Sequence, residues 1–233
     1  MAKNKLFPIH EYFYSFQGEG YHIGKACTFI RTFGCPVHCS WCDSAGTWHK
    51  DYTPSDIKKY SCEELLEISH RKKESEFIVI TGGEPALHNW SEFISKSTKP
   101  VHIETSGGFP LGGDFDWITV SPKWDAKRNI ETLLKADEIK IIVEDECSIE
   151  AWLDDLSSIV FSDRLKAIWL HPEWSRRNDH VILRSINKAI RERGYPFRAG
   201  YQMHKLYKVD EEDADRAIFL IQSMLEDAGV DVN

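Results

Sequence analysis

The run Phe77-Ile78-Val79-Ile80-Thr81 carries no polar interruption and is bounded on both sides by turn-forming residues. Consecutive β-branched side chains over so short a stretch suit a strand covered on both faces, as in a parallel sheet. It stops at Gly82-Gly83-Glu84-Pro85, and the same pattern recurs along the chain: a short apolar run, then a small or polar cluster. Strands are expected at 26–33, 77–81, 101–104, 117–120, 138–143, 166–170 and 197–203. Helices are expected from Ser61, as N-cap with Glu64 as its capping-box partner, and at 87–97, 130–136, 148–159 and 181–193. Six or seven strands separated by helices make an α/β chain with a parallel sheet. Ligands bind outside the carboxyl ends of such strands, so the clusters should converge on one face.

The first of those strands runs into Cys35, Cys39 and Cys42, spaced C-x3-C-x2-C. Only a tight loop can point three thiols at one spot, and thiolates that close need a cation or cluster to neutralise them. Three readings stay open: a 4Fe–4S cluster with one iron left for a small molecule, a Cys3His zinc knot using His38 or His49, or incidental free thiols. Zinc alone would leave the strand-end clusters without a purpose and would make the chain a non-catalytic binding module.

Net charge is −8, from 29 basic and 37 acidic residues, which argues against broad binding to a phosphate backbone. No apolar run approaches a membrane span and no signal peptide opens the chain, so the cytoplasm is expected, where Cys27, Cys62 and Cys147 stay reduced. Gln17-Gly18-Glu19-Gly20 reads either as a loop whose backbone takes unusual angles or approaches something closely, or as a plain strand-to-strand turn, and Arg31, inside the first core strand, as a partner for an anion. Residues 209–233 carry an acidic amphipathic pattern with Ala214, Ile218, Ile221 and Leu225 on one side, read as a packing or dimer helix.

The cysteine spacing followed by Gly82-Gly83-Glu84-Pro85 resembles the radical S-adenosylmethionine (SAM) superfamily. Over residues 9–205 the order of motifs is similar to the 7-carboxy-7-deazaguanine synthase family: Gln17 to Gly20, Phe29-Ile30-Arg31, Gly34-Cys35-Pro36, Trp41-Cys42-Asp43, Thr81 to Pro85, Glu104 to Gly107, Val120 to Lys123 and Gln202 to Lys205. The resemblance implies an incomplete TIM-like barrel over residues 1–208 with a C-terminal extension over 209–233. It implies a 4Fe–4S cluster on Cys35, Cys39 and Cys42, and SAM against Trp41, Asp43, Gly82, Gly83, Glu84, Glu104, Ser121, Lys123 and His171. It further implies a carboxylated tetrahydropterin against Phe16, Gln17, Gly18, Arg31, Thr81 and His204, with Lys205 beside it, and magnesium on Ser44. A flavodoxin or ferredoxin as reductant and a homodimer complete the expectation; another radical SAM enzyme, such as a glycyl-radical activase, is the nearest rival. Two positions depart from the family pattern: Ser44 stands where threonine is usual, and His171-Pro172 where Gln-Pro is usual.

Overall fold

The computed structural model describes residues 5–207. The expected extension over 209–233 lies outside them. In chain order the elements are β1 (Phe7–Phe16), β2 (Ala26–Thr32), β3 (Lys59–Tyr60), α1 (Cys62–His70), β4 (Phe77–Gly82), α2 (Ser91–Lys96), β5 (Val101–Thr105), β6 (Trp117–Val120), α3 (Ile130–Leu134), β7 (Glu138–Val143), α4 (Ser148–Leu156), β8 (Ala167–Pro172), α5 (His180–Arg193), β9 (Phe197–Ala199) and α6 (Met203–Leu206).

Nine strands form one sheet in the order β3-β1-β2-β4-β5-β6-β7-β8-β9. From β2 to β9 every pairing is parallel, while β1 runs antiparallel to both β2 and β3. The sheet curls without closing, as an incomplete TIM-like barrel. Two strands beyond the expected count are β1, an aromatic run that the turn at 17–20 ends, and the two-residue β3 inside the polar stretch 45–60. The helix expected over 87–97 begins only at Ser91, because Pro85–Leu87 forms a separate 3-10 turn. The last strand ends at Ala199, and 201–206 leave the sheet to cross the barrel.

Period-two alternation gives the strands two unlike faces. Ile78, Ile80, Ile103, Ile139, Ile141 and Leu170 are fully buried against helix residues such as Leu65, Phe93, Leu133 and Ile182. Each such side chain contributes on the order of 2 kcal/mol by leaving water. The opposite face lines the barrel interior. Toward β2 and β4 it is apolar, with Cys27, Phe29, Phe77 and Val79 packed together. Toward β5–β8 it is polar, with His102, Thr119, Glu138, Lys140 and His171 all buried. The capping box of α1 forms as expected: Ser61 N–H donates to Glu64 Oε2 at 2.7 Å and Glu64 N–H to Ser61 Oγ at 3.3 Å.

At the amino-terminal end of the strands His102 stacks on Phe77, with ring centroids 4.1 Å apart and planes 15° apart, and lies 4.8 Å from His22. Burial, aided by His22 and Lys25, pushes the His102 pKa down to about 3. An unfolded chain therefore binds a proton here below about pH 6.5 that the folded chain refuses, so this stability is present above that pH and is lost as pH falls. Between pH 6.5 and 4 the loss should reach about 3 kcal/mol at 1.36 kcal/mol per unit. His102→Phe should flatten the acid limb of the curve of Tm against pH; an unchanged limb in a folded variant would refute this.

Candidate functional site

The cysteine loop is held by backbone from two neighbouring segments. Gly34 N–H donates to Thr47 O at 2.8 Å, Gly83 N–H to Thr32 O at 3.0 Å, and Glu84 N–H to Gly34 O at 2.8 Å. The approach is so close that a Cβ on Gly83 would lie 2.2 Å from Gly34 O. A Cβ on Gly82, whose φ is +120°, would lie 2.3 Å from Thr32 N. Only glycine fits at either place. Cys35, Cys39 and Cys42 are all unpaired and half-buried, and burial raises the thiol pKa of Cys35 and Cys39. Ionising them requires positive charge nearby. The half-buried Lys123 supplies some: it lies near Cys39, with Nζ 5.3 Å from the centre of the Trp41 ring and donating to Ser121 O and Oγ at 2.7 Å each.

Among the described residues no three His, Cys, Asp or Glu side chains converge on a point that could hold a single ion. His38 is stacked on Trp48 at 4.4 Å, and His49 Nδ1 accepts from Asp51 N–H at 3.3 Å. That geometry disfavours a zinc knot, whose four donors must all sit within about 2.3 Å of one atom. A cuboidal cluster takes one thiolate per iron and spaces them wider, so three thiols on one loop suit it.

Below the loop a cleft of about 470 Å³ passes into the barrel. It is lined by Trp41, Asp43, Ser44, Thr81, Gly82, Gly83, Glu104, Ser121 and Lys123, and also by Phe16, Gln17, Gly18, Arg31, His204 and Lys205. Of the residues expected at the site, only Glu84 and His171 stay out of that lining. The Glu84 carboxylate is 1% exposed and already accepts from Thr105 Oγ1 at 2.6 Å, from Ser106 N–H and Ala86 N–H at 2.9 and 3.0 Å, and from Ser106 Oγ. It ties β4 to β5 and has no lone pair aimed at a ligand. The His171 ring is buried against Gly200, and burial pushes its pKa down to about 4. Its place in the barrel interior, behind Pro172, keeps it off the cleft wall.

The interior holds a polar network that the sequence showed only in fragments. Lys140 Nζ donates to Glu19 Oε2 at 3.0 Å and to Glu104 Oε1 at 3.3 Å. Gln17 Nε2 donates to the same Glu104 oxygen at 3.0 Å, Thr81 Oγ1 to its other oxygen at 3.1 Å, and Gln202 Nε2 to Glu19 Oε1 at 2.8 Å. Burial alone would raise the Glu19 carboxyl, yet Lys140, His171, His204 and Gln202 hold it far below the ordinary carboxylate range. The Glu104 carboxylate thus bonds to Gln17 and Thr81, among the residues expected to meet the pterin. Glu19, Lys140 and Gln202 are the residues missed. Charged residues at 138 and 140 in an otherwise Ile/Val strand were the available signal, because alternation puts both on one face.

Arg31 sits at the boundary between the two halves. Its Nε donates to Glu11 Oε1 at 2.7 Å and its Nη1 to Ser44 Oγ at 2.5 Å. The segment 202–205 crosses from one half to the other: Met203 N–H donates to Gly18 O at 2.9 Å, and Lys205 Nζ lies 3.8 Å from Asp43 Oδ2 and 5.1 Å from the Trp174 ring centre.

A family model described as a 4Fe-4S single cluster domain matches residues 16–102. Together with the open parallel barrel and three unpaired thiols at its carboxyl end, this defines an iron–sulfur enzyme of the radical SAM class. Among relatives named 7-carboxy-7-deazaguanine synthase, that of Synechocystis is 41% identical over 144 residues, covering 60% of this chain and 66% of the relative. That of Escherichia coli K12 is 35% identical over 227 residues, covering 87% and 99%, and the crystal structure of QueE from Escherichia coli superposes with a TM-score of 0.72 at 31% identity, covering 85% of this chain and 95% of that one. The chain belongs to the 7-carboxy-7-deazaguanine synthase family. The matched stretch spans just under two thirds of the first cyanobacterial relatives, at 66% and 64% of their lengths.

Proposed function

We propose that the protein converts 6-carboxy-5,6,7,8-tetrahydropterin to 7-carboxy-7-deazaguanine, contracting the ring and releasing ammonia. The observation that carries this reading is a single cleft with two chemically distinct halves, a thiol-and-glycine half under Lys123 and a carboxylate-rich half around Lys140. Cys35, Cys39 and Cys42 hold the cluster in this reading. When bound, cluster and SAM supply one-electron cleavage that yields a 5′-deoxyadenosyl radical. The bare backbone at Gly82 and Gly83 admits the amino end of SAM, Ser121 and Lys123 meet its ribose and carboxylate, and Trp41 and Asp43 flank it.

In the other half, the acceptors Glu19, Glu104 and Gln17, with Thr81, suit the amino and ring N–H groups of a pterin, since donors of that kind pair with buried carboxylates. Phe16 and Gly18 form the wall, and His204 with Lys205 cover the opening. Arg31 takes the substrate carboxylate. It now donates to Ser44, so magnesium on Ser44 requires the guanidinium to leave that oxygen for the substrate. A flavodoxin- or ferredoxin-type reductant and a homodimer belong to the same reading. None of the helices among the described residues is long and apolar enough to cross a membrane.

The test is anaerobic reconstitution followed by turnover of the carboxy-tetrahydropterin with SAM and a chemical reductant. Wild type should carry about four irons per chain, as a cuboidal cluster requires, and form the deazapurine; Cys39→Ala should lose both. Arg31→Ala should raise KM for the pterin about 10- to 100-fold, as loss of a charged hydrogen bond predicts, with KM for SAM within about twofold. A colourless protein, or SAM cleavage that leaves the pterin intact, would refute the assignment.

A further inference from the structure

Four donors converge on one carboxylate that the proposed chemistry does not touch. Glu138, on β7, is 3% exposed. Its Oε1 accepts from Thr119 Oγ1 at 2.8 Å and Trp117 Nε1 at 3.2 Å; its Oε2 accepts from Trp169 Nε1 at 2.6 Å and from Tyr21 N–H at 2.8 Å. Three of these donors belong to the barrel wall, on β6 and β8. The fourth belongs to the loop after β1. The same loop rides directly over the carboxylate at Gly20, where φ is +73° and a Cβ would lie 2.6 Å from Oε1 and 2.8 Å from Oε2. Two residues along β7, Lys140 takes Glu19 at 3.0 Å. Strand β7 thus grips the turn on either side of Gly20, through a backbone N–H and through a side chain.

We propose that Glu138 is a positioning residue that fixes the 17–21 loop, and with it Gln17 and Glu19, against the substrate half of the cleft. The inference rests on the pterin reading of that half. A carboxylate presents acceptors on both sides; a glutamine could keep its oxygen toward the Tyr21 and Trp169 N–H groups and let the Thr119 hydroxyl accept from its NH2, so leucine is the substitution that removes every acceptor. Loss of the Tyr21 contact frees the loop backbone while Cys35, Cys39, Cys42, Gly82 and Lys123, on other segments, keep their own supports.

The reconstituted enzyme tests this in three variants. Glu138→Leu should raise KM for the carboxy-tetrahydropterin about tenfold or more, leave KM for SAM within about twofold, and increase the 5′-deoxyadenosine released per deazapurine formed. Gly20→Ala pushes a methyl onto the carboxylate from the loop side and should give the same pattern, which keeps the test alive if Glu138→Leu does not fold. Thr119→Val removes a wall donor only; it should lower Tm and leave both KM values unchanged. Hydrogen exchange over residues 17–24, measured without substrate, should rise in the first two variants and stay at the wild-type level in the third. A folded Glu138→Leu or Gly20→Ala enzyme with wild-type pterin KM, or with unchanged exchange in that loop, overturns the proposal. Wild-type enzyme that leaves the pterin unconsumed would instead sink the assignment of substrate, with exchange still reporting on the anchor.

Discussion

Gly83→Ala should strip the protein of its iron while leaving most of it folded. The added methyl would sit 2.2 Å from Gly34 O, an atom with no freedom to step aside because it also accepts from Glu84 N–H. Backbone must move, and the piece free to move is the loop that starts at Cys35. The barrel wall is tied by the parallel ladder of β2 on β4, six pairs long, and should absorb the change for about 1–3 kcal/mol, the usual cost of overpacking. Iron and sulfide after anaerobic reconstitution should fall from about four per chain to below about one, the reference being a full cuboidal cluster, with far-ultraviolet circular dichroism unchanged. A variant that keeps its cluster would show that the loop adjusts independently of β4.

Lys140→Met should be the most destabilising single change in the barrel interior. It leaves Glu19 and Glu104, which are partly buried, without their cation, and breaking a buried ion pair from one side costs up to about 3–5 kcal/mol. The sign of the pH dependence identifies the cause. In the wild type Glu19 is held well below its ordinary pKa, so its contribution is present above about pH 4.5 and is lost only in stronger acid. Without Lys140, burial prevails and the Glu19 pKa rises, so the folded variant takes up a proton that the unfolded chain does not. Its deficit relative to wild type should therefore be larger at pH 8 than at pH 5, measured by urea midpoints. Adding Glu19→Gln should recover part of the loss at pH 8. An equal deficit at both pH values, unrelieved by the second change, would mean that lost packing dominates.

The residues differ in how far their chemistry was readable beforehand. Buried strands were legible because β-branched runs such as 77–81 admit little else, and the capping box marked α1 to the residue. The cysteine loop and Gly82-Gly83 were legible because spacing and glycine both report on backbone, which the sequence constrains directly. Side-chain direction is a different matter. Glu84 stands in the motif beside the SAM half, yet its carboxylate turns inward to Thr105 and Ser106. Glu104 was read toward SAM, and its carboxylate accepts from Gln17 and Thr81. Both placements have one origin: a strand-end motif fixes where a Cα sits, while the partner of a long polar side chain depends on residues far away in sequence. Glu19, Lys140 and Gln202 meet only once the barrel has curled.

The strap at 202–205 has a temporal consequence. The thiol half of the cleft draws on residues from about 31 to 123, whereas the carboxylate half needs Gln202 on Glu19 and Met203 on Gly18. At synthesis rates of about 5–20 residues per second, the cysteines emerge roughly ten seconds or more before the residues that cover the substrate half. A nascent chain can thus present a cluster-binding loop with its barrel still open at the side. A chain cut between residue 123 and residue 200 would keep the segments that build the thiol half and lack the strap that covers the other.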